Sequence, residues 1–435
     1  MKKRTMKKLV SVLTAAALVA AMTAGCQGKN DKTSSEKENG KEEVTLQFLA
    51  NETTLLTRDF WQKVADSYHE KNPDVTIKLI YQPSSNVDVR EYAKTLLSTG
   101  QFPDVMVMTT ASDFVSADAL LPLDDSDVDI VEDDYISRID GKIYVVPYKI
   151  QVGGVFYNKD MFQKYNLEVP TTWDEFTKVC DTFKSNEITP IVMGLKDGWA
   201  HVIPFGLTAA NDVLLDDPSW PSERMKNETT FADSEGIKNS MKKYSLMMNQ
   251  YNVSDKTSLT YAQSNEYFYN QKVPMYIMGS WAQGLDMTTD HDFTTGFFPL
   301  PGDDGKTVMP LWVNEGLSIS AETEYPDIAK DFVKFFLEDE EWAKVFLETE
   351  QLFSPLKEAV TYESTDLHKE VEQYLNDMDG RPNFFDQVGD NAWAAGISDL
   401  LTKTTLNVAS NENADLDKEL KDLDSEVDKI LNNQK

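Results

Sequence analysis

Cysteine, histidine and positive charge are all scarce in this chain. Its 435 residues include two Cys and four His. Two cysteines cannot staple a disulfide-dense scaffold or fill a Cys-rich zinc module. Lys and Arg number 42 against 73 Asp and Glu, a formal charge of −31. Such a chain lacks the clustered cations that a phosphate backbone requires, so no nucleic-acid partner is expected. Catalytic and metal motifs are missing as well. His69, His201, His291 and His368 are scattered without an H-E-x-x-H pair, and no G-x-S-x-G elbow occurs. Gly302 to Thr307 imitates the end of a P-loop, but Leu300 stands where the first glycine belongs. Asp125, Asp127 and Asp129 start like a calcium loop, yet Ile130 replaces its Gly and Ile136 its closing Glu. No cofactor and no metal are expected. Carboxylate pairs of the kind that cleave glycosides are always on offer in so acidic a chain, and nothing singles one out.

What is present begins with a leader. Lys2, Lys3, Arg4, Lys7 and Lys8 precede an apolar run from Leu9 to Met22 and then Thr23, Ala24, Gly25 and Cys26. A positive start, a short apolar core and small residues at the end describe a secretory signal peptide over residues 1–25. The run is short for a transmembrane helix. Ala24-Gly25-Cys26 resembles a bacterial lipobox, in which cleavage precedes the Cys and its thiol is lipidated; an ordinary signal peptide beside an unrelated Cys is the other reading. Gln27 to Glu43 has no apolar side chain, so residues 26–43 are expected to be a disordered tether between a membrane and a folded body. That body, stripped of the five leader cations, would be repelled by anionic lipid, which favours a tether over surface adsorption. Cys180 shares an amphipathic pattern with Phe176, Val179 and Phe183 and is expected in a core.

The body alternates strands and helices. Val44 to Ala50 alternates apolar and polar residues as a strand does. Phe60, Val64 and Tyr68 recur at helical spacing; Val75 to Tyr81 is a second strand; Val89, Ala93, Leu96 and Leu97 form a helical face stopped by Gly100. Val105 to Met108 is an apolar run of the length of a buried parallel strand. This β-α-β-α-β order predicts a parallel α/β sheet. Further strands are predicted at 141–147, 153–158, 190–193 and 273–278. Helices are predicted from the capping-box spacing of Thr172 and Glu175 to about Lys184, over Ile237 to Met248, and from Pro326. Leu416, Leu420, Leu423, Val427 and Ile430 mark a docked terminal helix.

Several of these stretches resemble, in order and spacing, the sugar-binding lipoproteins of ABC importers, the extracellular solute-binding family 1 that includes maltose-binding protein. Phe102-Pro-Asp-Val-Met106 is similar to the P-D-V segment, Leu120 to Asp124 to the L-x-P-L-D turn, and Gly141 to Tyr148 to G-K-x-Y-x-x-P. Val155 to Asp160 resembles the Y-N-K-D stretch, and Pro170 to Glu175 the P-x-T-W-D-E helix start. Phe268 to Trp281 resembles the F-x-x-G-K-x-A-M…G-x-W block, with Gln271 in place of its Gly and Pro274 of its Ala; Pro299 to Gly302 and Gly316 to Ser320 complete the pattern. The resemblance covers nearly the whole mature chain. It implies a two-lobed periplasmic-binding-protein-like α/β fold, each lobe a mostly parallel sheet flanked by helices, with a hinged cleft between. The parts would be 44–148 and 312–350 in the first lobe, and 149–311 and 351–435 in the second.

The implied function is capture of an extracellular carbohydrate, without chemistry, for delivery to the transmembrane subunits of an ABC permease. The protein would be a monomer on the outer face of the cell membrane, anchored by a lipid on Cys26 with acyl chains such as palmitate. Pyranose C–H faces stack on aromatic rings and hydroxyls seek amide or carboxylate partners. Trp281 aligns with the family's ring-stacking aromatic. Asn51 and Glu52 end the first strand, and Thr109 and Thr110 the third, at the edge where open α/β sheets bind ligands. Trp312 and Glu315 fall where the chain returns across the hinge, and Trp393 resembles a second-lobe aromatic near the cleft. The blander alternatives are a core position for each Trp, turn-shaping for Asn51 and Glu52, and capping for Glu315. Lys149 and Gln151 either line the hinge or are solvated. Two other functions stay open at this stage: an extracellular glycoside hydrolase, and a binder of peptide or another polar solute on the same fold.

Overall fold

A computed structural model describes residues 43–83, 87–313, 315–385, 387–388, 391–433. The leader, Cys26 and all of the tether but Glu43 lie outside them. Residues 43–435 form one compact unit.

Eleven strands are present among the described residues: β1 (Val44–Leu49), β2 (Val75–Ile80), β3 (Val105–Met108), β4 (Val146–Pro147), β5 (Gln151–Asn158), β6 (Ile191–Val192), β7 (Met275–Gly279), β8 (Thr295–Phe298), β9 (Met309–Trp312), β10 (Gly316–Ile319) and β11 (Gly380–Pro382). They build two sheets, β2-β1-β3-β10-β4 and β11-β9-β5-β7-β6, with β8 also paired to β5. Each sheet is the centre of a lobe. In the first, side chains alternate between two cores. Val105 and Val107 face the helices Arg58–Lys71 and Pro326–Glu338, while Met106 and Met108 face the helix Val89–Ser98. Burial on both faces explains the unbroken apolar run. The second lobe has one continuous core, and Cys180 is fully buried in it.

The first three strands are parallel, as the β-α-β-α-β order predicts. Strand direction departs from the mostly parallel expectation where the chain crosses between lobes. It crosses from β4 to β5, from β9 to β10, and after the helix Trp342–Glu350. A crossing strand enters its new sheet from the opposite end. So β10 runs antiparallel to β3 and β4, and β5 antiparallel to β7, β8 and β9. The strand predicted over 141–147 shrinks to Val146–Pro147. Its beginning is a tight turn, Ile139 pairing with Lys142, and Ile143 makes only an isolated bridge to Leu123.

Helix ends follow the sequence signals closely. Thr172 caps the helix Trp173–Ser185 by accepting from the Glu175 N–H at 3.2 Å, but the Glu175 carboxylate accepts from Thr171 rather than from the cap residue. The terminal helix Leu416–Asn433 docks through Leu420, Leu423, Val427 and Leu431. Gln271 has φ +57°, the left-handed conformation that glycine adopts most easily. That accounts for the Gly found at this place in the family pattern. The aspartates that start like a calcium loop are each held by a different cation: Asp125 by Arg138, Asp127 by Lys330 and Asp129 by Lys334.

Candidate functional site in the interlobe cleft

Parallel strands deliver the loops that follow them to one edge of a sheet. In the first lobe the loops after β1, β2 and β3 carry Asn51 and Glu52, Gln82, and Thr109 and Thr110. Buried Gln82 organises this edge, donating to Asn51 Oδ1 at 3.2 Å and to the Glu52 carbonyl at 3.1 Å. Asn51 also accepts the Trp61 indole N–H on its carbonyl, and Glu52 pairs with Arg58 at 2.9 Å. Both residues are half-buried.

In the second lobe β6 and β7 are parallel neighbours. Trp199 lies beyond the end of β6 and Trp281 beyond the end of β7. Gly153 on β5 pairs directly with Gly279 on β7. A Cβ at Gly279 would sit 1.9 Å from the Trp281 ring, and one at Gly153 would sit 2.9 Å from the Trp312 ring. Two facing glycines thus form a floor on which two indoles lie, edge to face at 5.5 Å. Trp199 extends the row 6.1 Å from Trp281 and meets the Tyr261 ring at 5.0 Å, tilted by 54°. Trp281 packs against the cores of both lobes, and Trp199 remains 37% exposed. An exposed indole in a row of aromatics is the feature a flat apolar ligand face needs.

The two edges face each other. Leu55 of the first lobe packs against the second-lobe core, and a Cβ at Gly284 would strike it. A cleft opens between the lobes, lined among others by Thr110, Ser112, Ser137 and Tyr144 on one side and Gln387 and Trp393 on the other. Hydroxyls and amides dominate its polar groups. Trp393 itself is 4% exposed, with its indole N–H given to the Phe384 carbonyl at 2.7 Å, so only part of its ring reaches the cleft.

Behind the cleft, charge is concentrated on the crossings. Lys149 is buried, with its Nζ 3.0 Å from both Glu315 and Glu350. Glu315 also accepts the Tyr148 hydroxyl at 2.8 Å. Burial lowers the Lys149 ammonium's affinity for its proton, but the two carboxylates outweigh it and hold the group above the ordinary lysine value. Glu350 is pushed upward, first by burial and then by Glu315, against the pull of Lys149. Glu315 therefore belongs to a hinge cluster. Among the described residues, no group of three His, Cys, Asp or Glu side chains is placed to hold a metal.

A family model for bacterial extracellular solute-binding proteins matches residues 54–341. The chain belongs to that family. Among curated relatives, the multiple sugar-binding protein of Streptococcus mutans is 26% identical over 75% of this chain and 78% of its own. The melibiose/raffinose/stachyose-binding protein of Bacillus subtilis is 22% identical over 73% and 74%. Among solved structures, a solute-binding protein in complex with raffinose superposes with TM-score 0.72 at 18% identity, covering 89% of this chain and all of that one. A chitin oligosaccharide binding protein gives 0.73 at 18%, covering 90% and all of its chain. The fold of this family member is therefore the two-lobed α/β architecture of solute-binding proteins.

The expected site residues fall into four places. Trp281 and Trp312 meet on the glycine floor. Asn51, Glu52, Thr109 and Thr110 share the opposing edge. Glu315 lies at the hinge and Trp393 largely within the second-lobe core. Trp199, Tyr261, Ser137, Tyr144 and Gln387 were not apparent from the sequence. For Trp199 a signal existed: Asp197-Gly198-Trp199 follows a short apolar strand, and Gly198 makes the turn at φ +77°.

Proposed function

We propose that this solute-binding protein captures a carbohydrate, most simply an oligosaccharide, between its lobes and delivers it to an ABC permease. The row Trp312–Trp281–Trp199 over the Gly153/Gly279 floor carries the reading. It offers stacking surface for a pyranose's apolar faces at the second-lobe sheet edge, and the hydroxyls and amide of Thr110, Ser112, Ser137 and Gln387 in the interlobe cleft suit its polar rim. The sugars named for the relatives in Streptococcus mutans and Bacillus subtilis support the same ligand class. The lobes are 44–148 with 312–350, and 149–311 with 351–435; closure around the ligand excludes water and strengthens its hydrogen bonds. No bond is made or broken. Glu315 and Glu350 are both committed to Lys149, which suits a binding site better than acid–base work. Residues 1–25 are a signal peptide, and a lipid on Cys26 holds the monomer on the outer face of the membrane by the 26–43 tether.

The test is a thermal-shift screen of residues 42–435 against raffinose, stachyose, chitin oligosaccharides and monosaccharides. A ligand specific to the folded state raises the melting temperature in proportion to ln(1 + [L]/Kd). With the best glycan, Trp281→Ala is expected to weaken affinity at least tenfold, about 1.4 kcal/mol. Shifts with peptides but no sugar would discard the carbohydrate reading, and release of new reducing ends would discard the binding-only one. Loss of acyl labelling in Cys26→Ser tests the anchor.

A further inference from the structure

A second group of charges lies across the cleft, at its rim. Arg90 and Lys94 project from the helix Val89–Ser98 of the first lobe, one turn apart, and Asp113 of the same lobe holds both, at 2.9 and 2.8 Å. Asp399 comes from the other lobe, in the first turn of the helix Ile397–Ser410. Its carboxylate lies 3.0 Å from Arg90 Nη2 and 3.7 Å from Lys94 Nζ. Ser112 and Ser398, the chain neighbours of Asp113 and Asp399, line the interlobe cleft. Arg90 and Asp113 are 14% and 16% exposed in their side chains, whereas Asp399 is 55% exposed. One lobe thus presents a preorganised site of two cations and two carboxylates, Asp113 between them and Glu91 3.0 Å from Lys94. The other supplies the carboxylate that completes it.

We propose that Asp399 is the bolt, and Arg90 with Lys94 the keeper, of a latch that favours the closed arrangement of the lobes even without ligand. The pairing between lobes exists only when they are together, so its whole free energy acts on the closing equilibrium. Separated, Arg90 keeps only Asp113, Lys94 keeps Asp113 and Glu91, and Asp399 of the second lobe loses both its cations. The rest of the chain works the other way. With a formal charge of −31, the lobes repel one another over longer range, and salt would relieve that repulsion. Salt dependence therefore has a diagnostic sign: without a latch, added salt closes the lobes; with it, added salt opens them. The proposal rests on the reading that the two lobes move about the crossings, but not on the identity of the ligand.

The experiment needs no ligand. Spin labels on one exposed cysteine per lobe, Glu70→Cys and Lys178→Cys, report the interlobe distance in residues 42–435, where buried Cys180 is shielded from labelling. At low salt the unlatched variant Asp399→Lys is expected to lower the closed-to-open ratio about three- to tenfold, the range of a partly exposed charge pair. Asp399→Glu should retain the closed population, and Asp366→Lys, an equal change of net charge at an exposed site, should leave it unmoved. At 1 M salt, wild type should shift toward the distances of Asp399→Lys. Identical distributions for wild type and Asp399→Lys at low salt would overturn the latch, as would a closed fraction that rises with salt in both. Neither result bears on which solute binds, which the glycan screen decides separately.

Discussion

The same kinds of side chain do different work at the two ends of the cleft. At the hinge, one ammonium and two carboxylates are nearly dry, and they join all three crossings: Lys149 on the first, Glu315 on the second, Glu350 just before the third. At the rim, two cations and three carboxylates stand partly in water, and one of the five, Asp399, belongs to the opposite lobe. Charges at the hinge cannot separate unless the crossings unravel. Those at the rim separate whenever the lobes part. Burial makes the first group a condition of folding, and exposure lets the second tune a motion.

Removing the hinge ammonium is the severest way to break this contrast. Lys149→Met leaves two carboxylates facing each other without water, and losing one partner of a buried ion pair costs about 3–5 kcal/mol. Urea unfolding should show that loss. Adding Glu315→Gln and Glu350→Gln should restore most of it, because no uncompensated charge then remains. A Lys149→Met variant within about 1 kcal/mol of wild type, the range of surface pairs, would mean that the hinge cluster is as wet as the rim. The floor between the two ends comes next. Gly279→Ala forces the Trp281 ring aside and is expected to cost about 1–3 kcal/mol, typical of overpacking. It should also weaken glycan binding, which a change at the hinge alone would not require.

The first lobe was largely legible in the sequence because its order is local. Val44 to Ala50, Phe60 to Tyr68 and Val105 to Met108 each carry the period of their element, and parallel neighbours follow from β-α-β succession. The hinge cluster was not legible, since Lys149 meets a residue 201 positions away, and no period or motif announces such a meeting. Lys149 alone is equally compatible with solvent. Antiparallel β5 was hidden for a related reason, as its direction is set by which end of the sheet the chain enters after crossing. Trp393 shows the limit for single aromatics. Its neighbours Trp220 and Phe231 come from distant segments and, with Phe384, make it a core ring as much as a cleft ring. The place of Trp281 just beyond a strand was legible because Gly279 and Ser280 precede it at the strand end.

Acid separates the two ends more gently. Glu350 sits above its ordinary value of 4.5, through burial and the nearby Glu315. A raised value means that the folded protein holds this proton more tightly than the unfolded chain. Its stabilising contribution is complete below 4.5 and is lost as pH rises through the folded value. Asp113 at the rim is opposite in sign. Burial pushes it up, but Lys94 and Arg90 prevail and hold it below 3.8, so its contribution persists until pH falls through that lower value. The hinge therefore titrates before the rim on acidification. Glu350→Gln, which mimics the protonated hinge, should be neutral or stabilising by up to about 1 kcal/mol at pH 7, and the difference from wild type should shrink toward pH 4. A loss above about 2 kcal/mol at pH 7, more than the worth of a typical neutral hydrogen bond, would show that the hinge needs both carboxylates charged.

The smallest expected effect sharpens the contrast most. Asp399 is more than half exposed, so in global unfolding Asp399→Asn should cost no more than about 0.5 kcal/mol, the usual value of a solvated pair. Its partners keep Asp113 when Asp399 is gone, and no buried charge is stranded. The closing equilibrium, by contrast, includes no other term from this residue and feels the entire change. Urea midpoints that coincide with wild type, together with interlobe distances that do not, would place Asp399 in the motion rather than in the fold. A stability loss as large as that of Lys149→Met would erase the distinction, because the rim pair would then hold the body together as the hinge does.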